Sequence, residues 1–596
     1  MEPKADLLVE ISWEVCNKVG GIYTVVKSKI GQMQLKYGEH YFLIGPYFPK
    51  KAHGIFEESI CPEEYKNCFE KLKSEGIEIH WGRWITPGSP TTILIDFSKF
   101  TANTNDIKRK LWEWYGIDSL RTQWYDFDEP VVWAWAVGRL IEEMKNTKPE
   151  KKIVAHFHEW LTSAGLLYLK RKNVPVSTVF TTHATTLGRA LASMERDLYS
   201  ELDTINPDEE AKKISPGIFA KHSIEKSTAL NSDVFTTVSE ITGIESEKFL
   251  SRKPDVLLFN GLDMSKFPTF EQASVRHKLF KSRIKQFLMY YFFPYYTFDL
   301  NNTLIYFIAG RYEFHDKGVD IFIDALKELN QKLKEEKSNK TIVAFFWIPG
   351  NTKSIRTQLL EDKTYFKDIA DSLEDVHEEM HARILELLVT GKNISEKTLF
   401  PESLQFELKP KLRRFKREGL PPISTHELFD EEKDLIMNAL KAAGLRNREE
   451  DRVKVVFYPI YLSGADGLLD TSYYESMQGS HLGVFPSFYE PWGYTPLEAA
   501  ALGVSSITTD LAGFGRFICA ECTQERYPGV FVLKRYKRPR DKVISDLTKM
   551  MKDFAYFTDK ERTENKIAAQ KVAHRAEWRT FIENYIKAHN IAIERT

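Results

Sequence analysis

Residues 484–498, VFPSFYEPWGYTPLE, restrict the folds open to this chain more than any other stretch. Residues 484–488 read as a buried strand. Tyr489-Glu490-Pro491-Trp492-Gly493-Tyr494 is a turn dense in glycine, proline and aromatic residues. Thr495-Pro496-Leu497-Glu498 then reads as a helix start, with Thr495 as N-cap, Pro496 in the first helical position and Glu498 where a capping-box glutamate stands. A loop entering a helix N-terminus presents free backbone N–H groups and makes an anion seat. With carboxylates at Glu490 and Glu498, the stretch suits a ligand that carries both phosphate and sugar hydroxyls, as a nucleotide-sugar does. The plainer alternative makes Glu498 a helix cap and Glu490 a solvated loop acid. Spacing alone leaves both readings open.

The same grammar recurs along the chain. A strand at 7–11 leads through Lys18-Val19-Gly20-Gly21 into an amphipathic helix with Ile22, Val25, Val26, Ile30 and Met33 on one face. Strand patterns at 41–44, 91–95, 153–158, 177–181 and 233–238 alternate with helical patterns such as 130–145 and 161–172. Alternation of this kind argues for an α/β domain with a mainly parallel sheet, which binds ligands beyond the C-terminal ends of its strands. Polar clusters follow two of these strands, at 156–160 (HFHEW) and 181–184 (TTHA). His156 and His158 are expected on opposite faces of their strand, which argues against a metal pair, and His156 reads as a satisfied buried histidine. Asn260-Gly261 reads equally as a turn and as a ligand contact.

A second α/β unit begins at 304–309 and runs into Gly310-Arg311-Tyr312-Glu313-Phe314-His315-Asp316-Lys317-Gly318. Arg311 and Lys317 stand on a loop before a helix at 319–334, where two cations complement phosphate. Residues 351–450 break the rhythm with charged helical segments at 363–389 and 428–443 and a basic run at 409–424. That run lacks the interleaved aromatics and zinc or RNP signatures of a nucleic-acid binder. The aromatic run 289–298 contains Pro294, is too short to span a bilayer, and reads as core or interface. An amphipathic helix closes the chain at 578–593.

Lys plus Arg number 83 and Asp plus Glu 84, a net charge of −1, so no overall field favours nucleic acid or an acidic membrane. No signal peptide is evident, and five cysteines fit a reducing cytoplasm. Cys519 and Cys522 form a lone C-x-x-C pair without the second pair or histidines that a zinc site takes, and read as incidental.

FPSFYEPWGYTPLE, with its flanks HLGVFPS and GVSSITTDLAGFG, resembles the paired-glutamate motif of glycogen synthases of the animal and fungal type, which are retaining glycosyltransferases. KVGGIYTVV is similar to their Lys/Arg-x-Gly-Gly motif, with Lys18 in the basic position where animal and fungal members carry Arg. TTHAT with the following GR, FNGLDMSKF and GRYEFHDKGVD resemble further family segments, so the resemblance runs from about residue 7 to residue 595.

The resemblance implies a GT-B fold: an α/β architecture of two Rossmann-like domains facing a deep cleft. The N-terminal domain would span 1–265 and the nucleotide-sugar domain 266–577, with 351–450 as a helical insertion that builds a homotetramer interface. Residues 578–596 would pack back on the N-terminal domain. It implies glucosyl transfer from UDP-glucose to an α-1,4-glucan such as glycogen, with no metal or other cofactor. Arg311, Lys317 and Arg189 would hold the diphosphate, and Glu490 and His183 would lie by the transferred glucose. Tyr489 would stack on uracil and Glu498 would bind ribose. Lys18, Gly20, Gly21, Asn260, Trp492, Gly493, Tyr494 and Thr495 complete the expected substrate contacts. His277, Lys281, His481, Lys560, Arg562 and Lys566 resemble parts of the family's glucose-6-phosphate pocket. With several of its arginines replaced, an ordinary solvated helix face and weak stimulation are the expectation. Two alternatives remain: another retaining transferase that uses ADP-glucose or forms a disaccharide, and an inactive glucan-binding scaffold.

Overall fold

The computed structural model describes residues 1–400, 402–522 and 526–596. The side chains of 396, 397 and 519–522 lie outside the described residues, and with them the Cys519/Cys522 pair.

Among the described residues the N-terminal half builds one sheet from β1 (Leu7–Ile11), β2 (Tyr41–Pro46), β3 (Phe56–Glu58), β4 (Glu78–Trp84), β5 (Thr91–Asp96), β6 (Ile153–His158), β7 (Ser177–Thr182), β8 (Val234–Thr237) and β9 (Val256–Leu257). Their order is β3-β4-β5-β2-β1-β6-β7-β8-β9, with β3 and β4 forming an antiparallel edge on a parallel sheet. The central strands are buried along their whole length, since helices cover both faces. The edge pair escaped sequence reading because its residues alternate weakly and stay half-exposed.

The second sheet is parallel throughout: β10 (Thr303–Ala309), β11 (Thr341–Trp347), β14 (Val453–Phe457), β15 (Leu482–Val484), β16 (Ser505–Thr509) and β17 (Val530–Leu533). Its order, β14-β11-β10-β15-β16-β17, places the reversal of strand order beside β10. Loops that diverge from such a point leave a crevice for ligands. The strand expected at 484–488 ends at Val484, and the residues after it are loop. Between β11 and β14, β12 (Thr352–Ile355) and β13 (His426–Leu428) pair as an antiparallel ribbon that carries the helical insertion. Its main helices are Thr357–Asp375, His377–Val389 and Glu402–Phe415. Val389 and Phe406 stand 80% and 71% exposed on it.

The aromatic run at 289–298 ends a helix, Phe270–Phe292, and is core, as expected for one of its two readings. The hydroxyls of Tyr290, Tyr291 and Tyr296 donate to backbone carbonyls of Leu468, Pro422 and Asn447 at 2.7 Å each. Burial of so many rings is tolerable because each polar tip finds a partner.

The chain crosses between the two sheets at two adjacent places. Leu262 N–H donates to Ala576 O and Trp578 N–H donates to Leu262 O, both at 3.0 Å. Gly261 is required there: a Cβ would stand 2.7 Å from Trp578 N. After the second crossing the helix Trp578–Arg595 lays Trp578, Phe581, Tyr585 and Ile586 against the N-terminal sheet. The fold is thus two Rossmann-like units facing across a cleft, with a helical insertion in the second.

Candidate active site

Two loops at the C-terminal ends of β10 and β15 build one wall of the cleft. Phe488 N–H and Tyr489 N–H both donate to Asp316 O, at 2.8 and 3.1 Å. Gly318 adopts φ +69°, and a Cβ on it would stand 2.0 Å from Pro486 O. Beneath them the Arg535 guanidinium donates to that same Pro486 carbonyl and lies 5.1 Å from the Phe488 ring centre. Burial pushes its pKa down to about 10. Gly513 N–H donates to Glu490 O and Phe514 N–H to Trp492 O, so the turn is tied on its far side as well. Loops held this tightly fix the direction of the side chains they carry.

Lys317 Nζ is 2.5 Å from Glu490 Oε2, and Arg311 pairs with Glu313 at 3.0 Å. Arg189, from the helix Thr186–Ser193 of the N-terminal unit, approaches from the opposite wall. Tyr489, Glu159, Glu313 and Glu490 around it outweigh its burial and raise its pKa. Among the described residues its guanidinium makes no direct hydrogen bond. Arg189, Arg311, Lys317, Glu490 and Thr495 all line one cavity of about 640 Å³. Three cations converging from two units suit a multiply charged anion.

The helix after the turn starts earlier than its residues suggest. Gly493 is its N-cap, at φ +104°, and Tyr494–Ala501 are helical with no side-chain cap. Thr495 and Pro496 therefore sit inside the first turn, and Glu498 closes no capping box. The Glu498 carboxylate instead accepts from Tyr474 at 2.8 Å and Tyr473 at 3.4 Å. Burial, only partly offset by these two donors, pushes its pKa up to about 7. Tyr489 also departs from expectation. It is 6% exposed, packs in the N-terminal core and donates its hydroxyl to Glu245 at 3.1 Å, so its ring is not offered to a base. Trp492 is 3% exposed and packs on Phe259, Phe517 and Phe581. Tyr494 donates to Gly261 O at 3.3 Å. Both still touch the cavity, as does Gly493.

On the N-terminal wall, Gly20 and Gly21 line the cavity, but the seat they form is taken by a neighbour. Glu14 accepts from Gly20 N–H at 2.7 Å and from Tyr23 N–H at 2.9 Å. Lys18 is exposed and lies outside the cavity lining. Asn260 and His183 do line it, and the buried Asn260 Oδ1 has no protein partner among the described residues. Glu159, at φ +67°, accepts from the N–H groups of His183 and Ala184 at 2.9 and 3.0 Å. Burial, opposed by Arg189, pushes its pKa up to about 7. Glu14, Glu159, Tyr473 and Tyr474 were not singled out from the sequence. The HFHEW cluster was the one available signal for Glu159.

His156 and His158 share a face of β6, contrary to expectation, because residues two apart in a strand point the same way. Their rings stack with centres 4.3 Å apart. His156 is nonetheless the satisfied buried histidine expected, bonded to Thr181 Oγ1 at 2.6 Å and to His589 at 3.2 Å. Glu10, His156 and His158 bring ligand atoms within 4.8 Å of one another, a spacing a metal accepts. The Lys29 ammonium already sits on Glu10, which makes the set an ion-pair core.

A second basic cluster lies between the helices Phe270–Phe292 and Asp559–Arg575. It is not the solvated face expected. His277 and His481 contact edge-on with centres 5.6 Å apart, and His277 bonds Gln478 O at 2.7 Å. Burial, with Lys281 and Arg562 nearby, pushes the Lys566 pKa down to about 8. Burial and neighbouring cations lower Lys281 as well. Lys560 is exposed and enters none of these interactions.

No helix among the described residues is long and apolar enough to cross a membrane.

The fold and the cleft agree with what the chain resembles. A protein-family model described as glycogen synthase matches residues 10–596. The chain is 38% identical over 595 residues to a glycogen [starch] synthase of Dictyostelium discoideum, covering 99% of this chain and 67% of that protein. It is 35% identical over 595 residues to the liver glycogen [starch] synthase of Mus musculus, covering 100% and 84%. Among solved structures, the catalytic domain of Starch Synthase IV from Arabidopsis thaliana, bound to ADP and acarbose, superposes with a TM-score of 0.52 at 14% identity over 99% of both chains, a likeness of fold. With its family model matched over nearly the whole length and relatives this similar end to end, the chain belongs to the glycogen synthase family.

Proposed function

We propose that the cleft transfers glucose from UDP-glucose to the non-reducing end of an α-1,4-glucan with retention of anomeric configuration. The observation that carries this reading is the convergence of Arg189, Arg311 and Lys317 on the cavity that Glu490 and His183 also line. The diphosphate lies between the two walls, where the three cations and the N–H groups opening the helix Tyr494–Ala501 stabilise charge as the glycosidic bond breaks. It competes with Glu490 for Lys317, so donor binding releases the Glu490 carboxylate toward the sugar. The anomeric carbon becomes oxocarbenium-like, as in glycoside hydrolysis. The acceptor hydroxyl attacks from the face the diphosphate leaves, and the departing phosphate takes its proton. Glu498 turns from Tyr474 to the ribose hydroxyls. Trp13, Glu14, Glu159 and Trp160, on the opposite wall, form the acceptor side.

The cations perform the charge stabilisation that a metal performs elsewhere, so turnover proceeds without one; a chelator should leave the rate unchanged. The Lys281, Arg562 and Lys566 cluster takes a sugar phosphate such as glucose-6-phosphate. The exposed apolar residues of the insertion bury against other copies in a homotetramer. Release of UDP or ADP, measured with UDP-glucose and ADP-glucose against a glycogen primer, tests the central reading. Preference for ADP-glucose would replace the donor, and glycogen binding without nucleotide release would make the chain a scaffold.

A further inference from the structure

Behind His183 lies a line of buried polar groups that leads away from the cleft. Glu10, next to the C-terminal end of β1, receives the Lys29 ammonium on Oε1 and the Tyr41 hydroxyl on Oε2 at 2.5 Å. His158 Nε2 lies 2.6 Å from Glu10 Oε1, and His158 Nδ1 lies 2.9 Å from His183 Nε2. Glu10, Lys29 and His158 are almost wholly enclosed, and the Tyr585 ring covers Lys29 with its centre 4.2 Å from Nζ. A line of this kind has a direction. An ionised carboxylate only accepts hydrogen bonds. His158 must then carry its proton on Nε2, which leaves Nδ1 bare, and His183 must donate from Nε2. His183 Nδ1 makes no hydrogen bond within the described residues and is not enclosed, so it opens on the cleft that the residue lines.

Lys29 sets that direction. Burial alone would favour the neutral carboxyl, but Lys29 and His158 outweigh it and hold Glu10 well below the usual carboxylate range. Burial likewise keeps His158 and His183 neutral. Without the ammonium a proton on Glu10 would donate to His158 Nε2. His158 would then donate from Nδ1 to His183 Nε2, and His183 would carry its own proton on Nδ1. The two arrangements hold the same Glu10–His158 and His158–His183 hydrogen bonds with donor and acceptor exchanged, while Tyr41 donates to Glu10 in both.

We propose that Lys29, Glu10 and His158 are positioning residues that hold His183 in its Nε2–H tautomer, so that a bare Nδ1 accepts a hydrogen bond from a hydroxyl of the bound sugar. The sugar part of this inference rests on the function proposed above, while the tautomer does not. A neutral ring with a lone pair toward the ligand repels phosphate oxygens and selects a hydroxyl that can donate.

Neutron diffraction from the deuterated wild-type protein tests the relay directly. Deuterium on His183 Nε2 and His158 Nε2, with both Nδ1 atoms bare, is expected; deuterium on His183 Nδ1 would overturn it. The second arm is the variant Lys29→Met, compared with wild type on UDP-glucose and its monodeoxy-fluoro analogues at C3, C4 and C6, the C2 position being left out because fluorine there slows an oxocarbenium-like step whatever the hydrogen bonding. Fluorine occupies the hydroxyl's place but cannot donate. Wild type should reject one analogue at least tenfold more than the others in kcat/KM, and Lys29→Met should lose that selectivity through KM. If Lys29→Met does not fold, the wild-type neutron result still decides the tautomer. The expected protonation together with no selectivity among analogues would overturn the sugar contact alone, and failure of every UDP donor would overturn the function reading alone.

Discussion

Lys317 and Glu490, 173 residues apart in the chain, form an ion pair across the two loops that build the C-terminal wall of the cleft. One ammonium cannot neutralise a carboxylate and a diphosphate equally, so on the function proposed above donor binding should release the Glu490 carboxylate. Glu490→Gln should leave UDP affinity unchanged or raise it, while glucosyl transfer falls at least about 100-fold. Calorimetry with UDP and a single-turnover assay separate the two effects. A loss of UDP affinity as large as the loss of rate would show that Glu490 binds nucleotide.

Lys317→Ala and Arg311→Ala should each slow turnover far more than they weaken glycogen binding. A preorganised donor to developing charge is worth about 2.7–4 kcal/mol, or about 100–1,000-fold. Lys317 should matter more, because the Arg311 side chain is 64% exposed and solvent screens it. Rates within threefold of wild type for both variants would remove the phosphate clamp.

Glu498 should make the protein less stable at alkaline pH. Folding favours its neutral form, whose pKa is pushed up to about 7. Its contribution is full below the ordinary carboxylate value and is lost as pH rises through about 7. Glu498→Gln keeps an acceptor for Tyr474 without the charge. Its Tm should match wild type near pH 4.5 and exceed it at pH 8. A lower Tm at both pH values would restore the helix-capping role that the sequence suggested, and UDP affinity should fall in the variant either way.

Anion binding at the second basic cluster should weaken as Lys566 loses its proton. With its pKa near 8, affinity for glucose-6-phosphate should drop between pH 7 and pH 9. Lys566→Ala should lower it at least tenfold at pH 7 and remove most of the pH dependence. Titration calorimetry at the two pH values measures both, and an equal affinity at pH 7 and pH 9 would exclude Lys566 from the site.

Light scattering should give about four times the 69.2 kDa chain mass at micromolar concentration. Leu388→Asp with Val389→Asp, on the exposed face of the insertion, should lower the mass without changing the circular dichroism. A monomer in the wild type would leave that apolar face with another role.

The parts of this site that were legible in the sequence are those whose chemistry is local. GRYEFHDKG announces a strand, a cationic loop and a helix within one continuous stretch, and Arg311 and Lys317 stand where that grammar puts them. Tyr489 departs from expectation because its burial is decided by Glu245 and Tyr199 of the other unit, 244 and 290 residues earlier, which no local pattern carries. The helix after the turn starts earlier than expected because a glycine at φ +104° caps it, while Thr495 and Pro496 imitate a start two residues further on. The basic residues at 562–566 read as a solvated face because the helix alone is polar. Their burial comes from Lys281 and His277, on a helix nearly 300 residues before them.

The paired crossings at Leu262 and Trp578 act as an axle. Two chain passes bonded side by side resist twisting and sliding, which makes rotation about their common line the motion expected between the units. The turn at 489–494 lies close to that line: Tyr494 touches Gly261, and Trp492 packs on Phe259 and Phe581. The buried Tyr489–Glu245 bond also joins the units beside the turn, and farther out Lys537–Asp203 and Arg516–Glu240 bridge them at the rim. A few degrees of rotation about it would carry the rim through a long arc while the turn, held to both units, stayed near the line. A thick, branched polymer end can enter and leave by such a swing without disturbing the seat of the small donor.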